Sequence, residues 1–174
     1  MMTVRRRATI GDIRIRPLID TAVCDVEEIE ALAFAGSSYA PWGLPDIHDA
    51  AHAANPRYQC LIARSELGHT EEVLGWICYR RDVNSATVLR IATHPSSWGK
   101  GIGRMMIEAV VRSPPPPGLL QLGGRTLTGI WLDIDDTRTP GFLERVQFSA
   151  GGIRYSDSPT RRFHYRFRDG KRES

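Results

Sequence analysis

The chain has 174 residues, 41% hydrophobic and 25% charged, with a formal net charge of +3. This length suits one domain (1–174) with a sizeable core, and no apolar run approaches the roughly 20 residues of a membrane span. Cys24, Cys60 and Cys78 are widely spaced, odd in number and without a C-x-x-C pair. That speaks against a disulfide framework or zinc site and for reduced thiols in a cytoplasmic protein.

In chain order, residues 1–7 are basic but lead into no apolar stretch, which argues against a secretory leader. Ile13-Arg14-Ile15-Arg16-Pro17 alternates as a first strand that stops at Pro17. A helix is expected next, capped by Asp25 with Glu28 three residues on, lined by Val26, Ile29 and Leu32/Ala33, and ended by Gly36. After a loop over 37–43, a short helix is expected over 45–54, opened by Pro45 and followed by Asn55-Pro56. Residues 58–64 and 72–81 form two strands joined by a polar turn around Gly68, and 87–93 form the next. From Gly101 the period changes to 3.6: Ile102, Met105, Met106, Ala109 and Val110 make an apolar stripe. Arg104, Glu108 and Arg112 fall together at i, i+4. Four prolines, Pro114 to Pro117, end this helix, and 118–124 is extra loop. A central strand over 126–134, a short helix opened by Thr139-Pro140, and two strands over 149–155 and 162–168 complete the chain.

The segment Trp98-Gly99-Lys100-Gly101-Ile102-Gly103-Arg104 lies where the strand over 87–93 gives way to a helix. Three alternating glycines there let backbone amides approach an anion, so the segment reads as a phosphate cradle. It is not a P-loop, because no window has four residues between a Gly and a following Gly-Lys-Ser/Thr. Nor is it a dinucleotide fingerprint, because Arg104 occupies the last glycine position of G-x-G-x-x-G. It resembles motif A of the GCN5-related N-acetyltransferases (GNAT), Q/R-x-x-G-x-G/A, with Trp98 in the place of Gln or Arg. A second region is similar to the family's W-L-x-V strand and its F-Y-E-R-x-G-F helix end. These are Trp131-Leu132-Asp133-Ile134 and Phe142-Leu143-Glu144-Arg145-Val146-Gln147-Phe148.

The resemblance implies an α+β fold, an α/β/α sandwich whose mixed, mainly antiparallel sheet of six to seven strands has helices on both faces. It further implies a splay between the fourth and fifth strands that admits acetyl-CoA as co-substrate, with no metal. Backbone groups of Ile91, Ala92 and Thr93 would then pair with pantetheine, and amides of Gly99, Lys100, Gly101, Ile102, Gly103 and Arg104 would hold the pyrophosphate. The implied activity is N-acetyl transfer to a primary amine of a small molecule or a peptide or protein, by direct attack in a ternary complex. Asp133, where some members carry a carboxylate, is the candidate base; a strand-end Asp paired with an arginine is the structural alternative. The family's usual tyrosine, its proton donor, aligns with Leu143, which leaves Tyr155 or a water as candidate acid.

Some features stand outside that scheme. His48-Asp49-Ala50-Ala51-His52 places two histidines at i, i+4, as in H-E-x-x-H, but Asp replaces the Glu and no third ligand follows. Surface histidines on an alanine-rich helix are the simpler account, and these two or Trp42 are alternatively acceptor-site residues. The 23 basic residues comprise 21 Arg and 2 Lys, with arginines concentrated over 5–16 and 161–172. Nucleic-acid binding is disfavoured for the first cluster, which lacks interleaved aromatics. The second alternates with Phe163, His164, Tyr165 and Phe167, as a half-exposed strand does. A non-catalytic acyl-CoA-binding module, motivated by Leu143, and an RNA-directed acetyltransferase are the alternatives. No membrane partner is expected; a homodimer is compatible, with oligomeric state left open by the sequence.

Overall fold

The structure is a computed structural model that describes residues 12–36, 40–66, 71–116, 129–135, 149–154 and 160–166. The elements follow the periodicities closely. Strand β1 is Ile13–Pro17, helix α1 Val23–Ala33, helix α2 Leu44–Ala51, strand β2 Tyr58–Ser65, strand β3 Glu72–Arg81 and strand β4 Ser85–Thr93. Helix α3 spans Ile102–Arg112, and strands β5, β6 and β7 span Gly129–Asp135, Ser149–Arg154 and Thr160–Arg166. The helix expected from Thr139-Pro140 lies outside the described residues, as do Leu143 and Tyr155.

Two local expectations are corrected. Asp25 does not cap α1: the helix begins two residues earlier, after a 3-10 turn at Asp20–Ala22, and Ala22 stands at the N-cap without a side-chain bond. The turn already positions the chain for the helix, so the carboxylate of Asp25 lies in the first turn, where it complements the dipole instead. The buried stripe of α1 is Val23, Val26, Ile29 and Glu30, whereas Leu32 is exposed. Ala33 is half-buried, and the buried place that Glu30 takes is explained by the donors it satisfies, described below. Helix α2 has Pro45 in its first turn, as expected, and Asp46 Oδ2 accepts from the Gly43 amide at 3.2 Å. On α3 the stripe widens: Ile107 joins Ile102, Met106 and Val110 in the interior, and Met105 and Ala109 are half-buried.

Seven strands hydrogen-bond in the order β1-β2-β3-β4-β5-β7-β6 in a mixed, mainly antiparallel sheet. β4 and β5 run parallel, which needs a crossover connection, and α3 lies in it. Their register covers Ser85↔Gly129 to Val88↔Leu132 and goes no further, although β4 continues to Thr93 and β5 to Asp135.

The chain divides into two compact units. One comprises Met1–Ala53, Cys60–Ile77 and Ile91–Ala109. Its interior holds Val26, Ile29, Ile47, Ile62, Trp76 and Met106, all fully or almost fully buried. Within it Gly75 of β3 meets the end of β4 closely: a Cβ there would lie 2.8 Å from the Ala92 carbonyl oxygen, 3.0 Å from Thr93 Cγ2 and 3.3 Å from Met106 Cε. The other unit comprises Ala54–Gln59, Cys78–Arg90 and Val110–Ser174, with Cys78, Tyr79, Val88, Val110 and Ile130 inside. There Arg81, 1% exposed, donates from Nη1 to the Ser113 carbonyl at 3.1 Å and so closes the C-terminal end of α3. Burial pushes the Arg81 guanidinium below its ordinary value, partly offset by Tyr79.

Candidate functional site: an amide cradle between β4 and α3

β4 alternates cleanly, with Ala86, Val88, Arg90 and Ala92 buried and the residues between them more exposed. At its end His94 donates its amide to the Leu74 carbonyl of β3 at 2.9 Å. By the same alternation Ala92, whose carbonyl lies against Gly75, faces β3 with its backbone groups, while those of Ile91 and Thr93 point to the opposite edge. Of the three residues expected to pair with an extended ligand, Ile91 and Thr93 are therefore oriented to do so, and Ala92 is turned to β3.

A 3-10 turn at Pro95–Ser97 follows, opened by a histidine in place of the usual Ser, Thr or Asp. Nδ1 of His94 accepts from the Ser96 amide at 3.2 Å and lies 2.7 Å from Ser96 Oγ. The Ser97 amide returns to the His94 carbonyl at 2.8 Å, and Ser97 is buried. Trp98 leaves the turn with its amide on the Pro95 carbonyl at 3.2 Å and its indole Nε1 donating to the Thr93 carbonyl at 3.0 Å. The residue is 59% exposed.

Gly99 and Gly101 both adopt left-handed backbone, φ 75° and 77°, separated by an exposed Lys100 whose amide bonds to Ser97 at 3.3 Å. A Cβ on either glycine would meet nothing within 4 Å, so conformation rather than crowding calls for glycine here. The helical ladder of α3 opens with the Met105 amide on the Gly101 carbonyl at 3.0 Å. The four preceding amides, Gly101, Ile102, Gly103 and Arg104, donate to no protein acceptor among the described residues. Helix starts leave such donors unpaired, and the dipole adds about 0.3–1 kcal/mol of preference for an anion. Ile102 and Gly103 are both buried and neither carries a polar side chain, so backbone is the only hydrogen-bonding chemistry these two residues have. The guanidinium of Arg104 is drawn away along the helix, its Nε on Glu108 Oε1 at 2.8 Å. What Arg104 leaves at the helix start is its amide and not its charge.

Asp133 lies in β5, where the β5–β7 register sets it opposite Arg162. Tyr155 lies outside the described residues. His48 of α2 and His52 at its C-cap lie tilted against each other, 4.3 Å between ring centroids, and His52 Nε2 meets Asp20 Oδ1 at 2.8 Å on the surface. Among the described residues no group of three or more His, Cys, Asp or Glu is arranged to hold a metal.

Sequence reasoning missed a second construction. Glu30 of α1, fully buried, accepts from Trp76 Nε1 of β3 at 2.8 Å through Oε1, and from the Trp42 amide at 3.0 Å through Oε2. Glu27 Oε1 accepts from the Leu44 amide at 3.1 Å. Trp42 stands edge-on to Trp76 with centroids 5.7 Å apart. The available signal was a glutamate one position after Ile29 on the apolar stripe, with two tryptophans downstream.

The chain matches the family model described as Acetyltransferase (GNAT) family over residues 25–119. No curated protein matches it in sequence. Among solved structures, an acetyltransferase from Thermus thermophilus superposes with a TM-score of 0.69 at 12% identity, covering 92% of this chain and 100% of that one. The ribosomal-protein-S18-alanine N-acetyltransferase from Escherichia coli gives 0.61 at 19% identity, covering 87% and 90%. The PaiA N-acetyltransferase from Thermoplasma acidophilum, in complex with coenzyme A, gives 0.61 at 16% identity, covering 89% and 99%. These likenesses are ones of fold.

Proposed function

This chain belongs to the acetyltransferase (GNAT) family, and from that premise we propose that it transfers an acetyl group from acetyl-CoA to a primary amine. The observation that carries the proposal is the row of unpaired amides from Gly101 to Arg104 behind two left-handed glycines. A pyrophosphate suits that row: it is a diffuse dianion that accepts several hydrogen bonds at once, and the helix start supplies them without a side-chain charge. Ile91 with both backbone groups, and Thr93 with its amide, would meet a pantetheine arm, the Thr93 carbonyl being engaged by Trp98 Nε1. Lys100 adds a mobile positive charge near the phosphates. When bound, acetyl-CoA supplies the activated thioester.

The protein's remaining task is to deprotonate the acceptor. An ammonium with a pKa near ~10 is not a nucleophile, so a base must accept its proton, commonly a carboxylate acting directly or through water. Asp133 is our candidate for that base, and Tyr155 or a water is our candidate to protonate the departing thiolate. The amine nitrogen bonds to the thioester carbonyl carbon, the carbon–sulfur bond breaks, and CoA leaves with one proton. No covalent enzyme intermediate is required. The names of the Escherichia coli and Thermoplasma proteins, both N-acetyltransferases, support an amine as acceptor. Small-molecule and peptide or protein amines remain comparable acceptor classes. The three cysteines are free thiols, which supports a reducing, cytoplasmic setting, and no helix among the described residues is long and apolar enough to cross a membrane.

The test is CoA release measured with acetyl-CoA across a panel of small amines and peptides bearing free N-termini or lysines. Turnover with any member supports the proposal. Saturable CoA binding with no transfer to any member favours the non-catalytic acyl-CoA-binding module, the reading that Leu143 in the tyrosine position motivates.

A further inference from the structure

We propose that Trp98 is a positioning residue that fastens the glycine loop to the end of β4, preorganising the amide cradle through its indole N–H. The proposal rests on the cofactor reading given above. Its basis is a departure in this chain's own sequence, a tryptophan where motif A has Gln or Arg.

The backbone between the 3-10 turn and α3 is Gly99-Lys100-Gly101, two left-handed glycines around an exposed lysine. Glycines lose the most conformational freedom on ordering, so such a stretch holds one shape only if its ends are tied. Its far end is tied by the Met105 amide on the Gly101 carbonyl. At its near end the Trp98 and Lys100 amides bond within the turn, to Pro95 and Ser97. The hydrogen bond that carries this end back to the strand is Trp98 Nε1 to the Thr93 carbonyl, 3.0 Å over five residues. The strand end is itself fixed, since His94 bonds to Leu74 and Gly75 admits β4 at close range. The indole therefore links a rigid support to the residue that precedes the first left-handed glycine.

The exposed side chain bears on the same point. At 59% exposure Trp98 is poorly used as a core residue, so apolar burial does not account for its position. Its polar handle does. Trp has one donor and no acceptor, and that donor is engaged. A glutamine amide can donate to the same carbonyl, which gives this position a common role under two side chains. A phenylalanine keeps an aromatic ring and loses the donor.

Three proteins decide the matter: wild type, Trp98→Phe and Trp98→Gln, each checked for an unchanged melting temperature without ligand. Hydrogen–deuterium exchange of the 98–105 segment in ligand-free protein reads the fastening itself. The dissociation constant for CoA reads its effect on the cradle, and acetyl-CoA KM against kcat reads it in turnover. Loss of one ordinary hydrogen bond predicts faster exchange in Trp98→Phe and a CoA dissociation constant raised about fivefold. KM for acetyl-CoA rises alike, kcat at saturation stays within about twofold, and Trp98→Gln returns to wild-type values. Unchanged exchange in Trp98→Phe overturns the fastening. Faster exchange with unchanged CoA affinity overturns its role in the cradle, and a Trp98→Gln as weak as Trp98→Phe overturns the donor assignment. A wild-type protein that binds no CoA, while exchange still responds to Trp98→Phe, refutes the cofactor reading and leaves the fastening standing.

Discussion

A methyl group added at Gly75 would lie 2.8 Å from a backbone oxygen, that of Ala92, which no side-chain rotation can move. We therefore expect Gly75→Ala to cost about 1–3 kcal/mol in urea denaturation, as overpacking does. It should also weaken CoA binding, because the strand that it displaces carries Ile91 and Thr93. Gly99 and Gly101 answer to a different requirement, one of φ rather than of space, and this is why their alternation is visible in sequence while the need for Gly75 is not. Asp133 is placed in β5 by a strand pattern that was legible, and its register partner Arg162 came only with the sheet. As general base it should lose about 100-fold or more in kcat as Asp133→Asn, with acetyl-CoA KM little changed. An Asp133→Asn enzyme with wild-type kcat would instead leave this residue a structural member of the strand.

At the scale of elements, α1 reaches β3 and the segment leading into α2 through carboxylates. Glu30 holds Trp76 and Trp42, and Glu27 holds Leu44, so the connection between the two helices is pinned at Trp42 and again at the start of α2. Removing the Glu30 carboxylate strands a buried indole N–H and an amide, each worth about 1–3 kcal/mol unsatisfied. Glu30→Ala should accordingly lower unfolding free energy by roughly 2–4 kcal/mol, measured by chemical denaturation, and Glu30→Gln by less. Such a network escapes pattern reading because amphipathic periodicity counts a buried glutamate as an error. What justifies it is two donors distant in sequence, one of them 46 residues away. The displacement of the N-cap from Asp25 to Ala22 has a similar origin, since a three-residue 3-10 turn has too little periodicity to register.

For the whole molecule, the expected consequence of the cradle is linkage. A ligand that binds only the folded state at ~100 times its dissociation constant stabilises by about 2.7 kcal/mol. In a chain of this size that is a rise in melting temperature of roughly 5–10 °C on adding CoA. Gly101→Pro should abolish the rise, because proline fixes φ near about −65° where 77° is needed, and removes a cradle amide. Gly103→Asp should do the same by setting a carboxylate beside the phosphates. A CoA-dependent shift retained in both would rule out this loop as the binding site.

The backbone form of the loop was legible because it is local. Its glycines, the strand before it and the helix after it are consecutive, and backbone conformation over a few residues depends on those residues. Strand and helix periods were legible for the same reason, and they placed β1 to β4 and α3 within a few residues. The tertiary structure decided what depends on residues far apart. It set the parallel pairing of β4 with β5 over only four positions, the turning of Ala92 toward β3 and the burial of Glu30. Each of these is a choice between partners, and a chain's partners are fixed only when its surfaces meet.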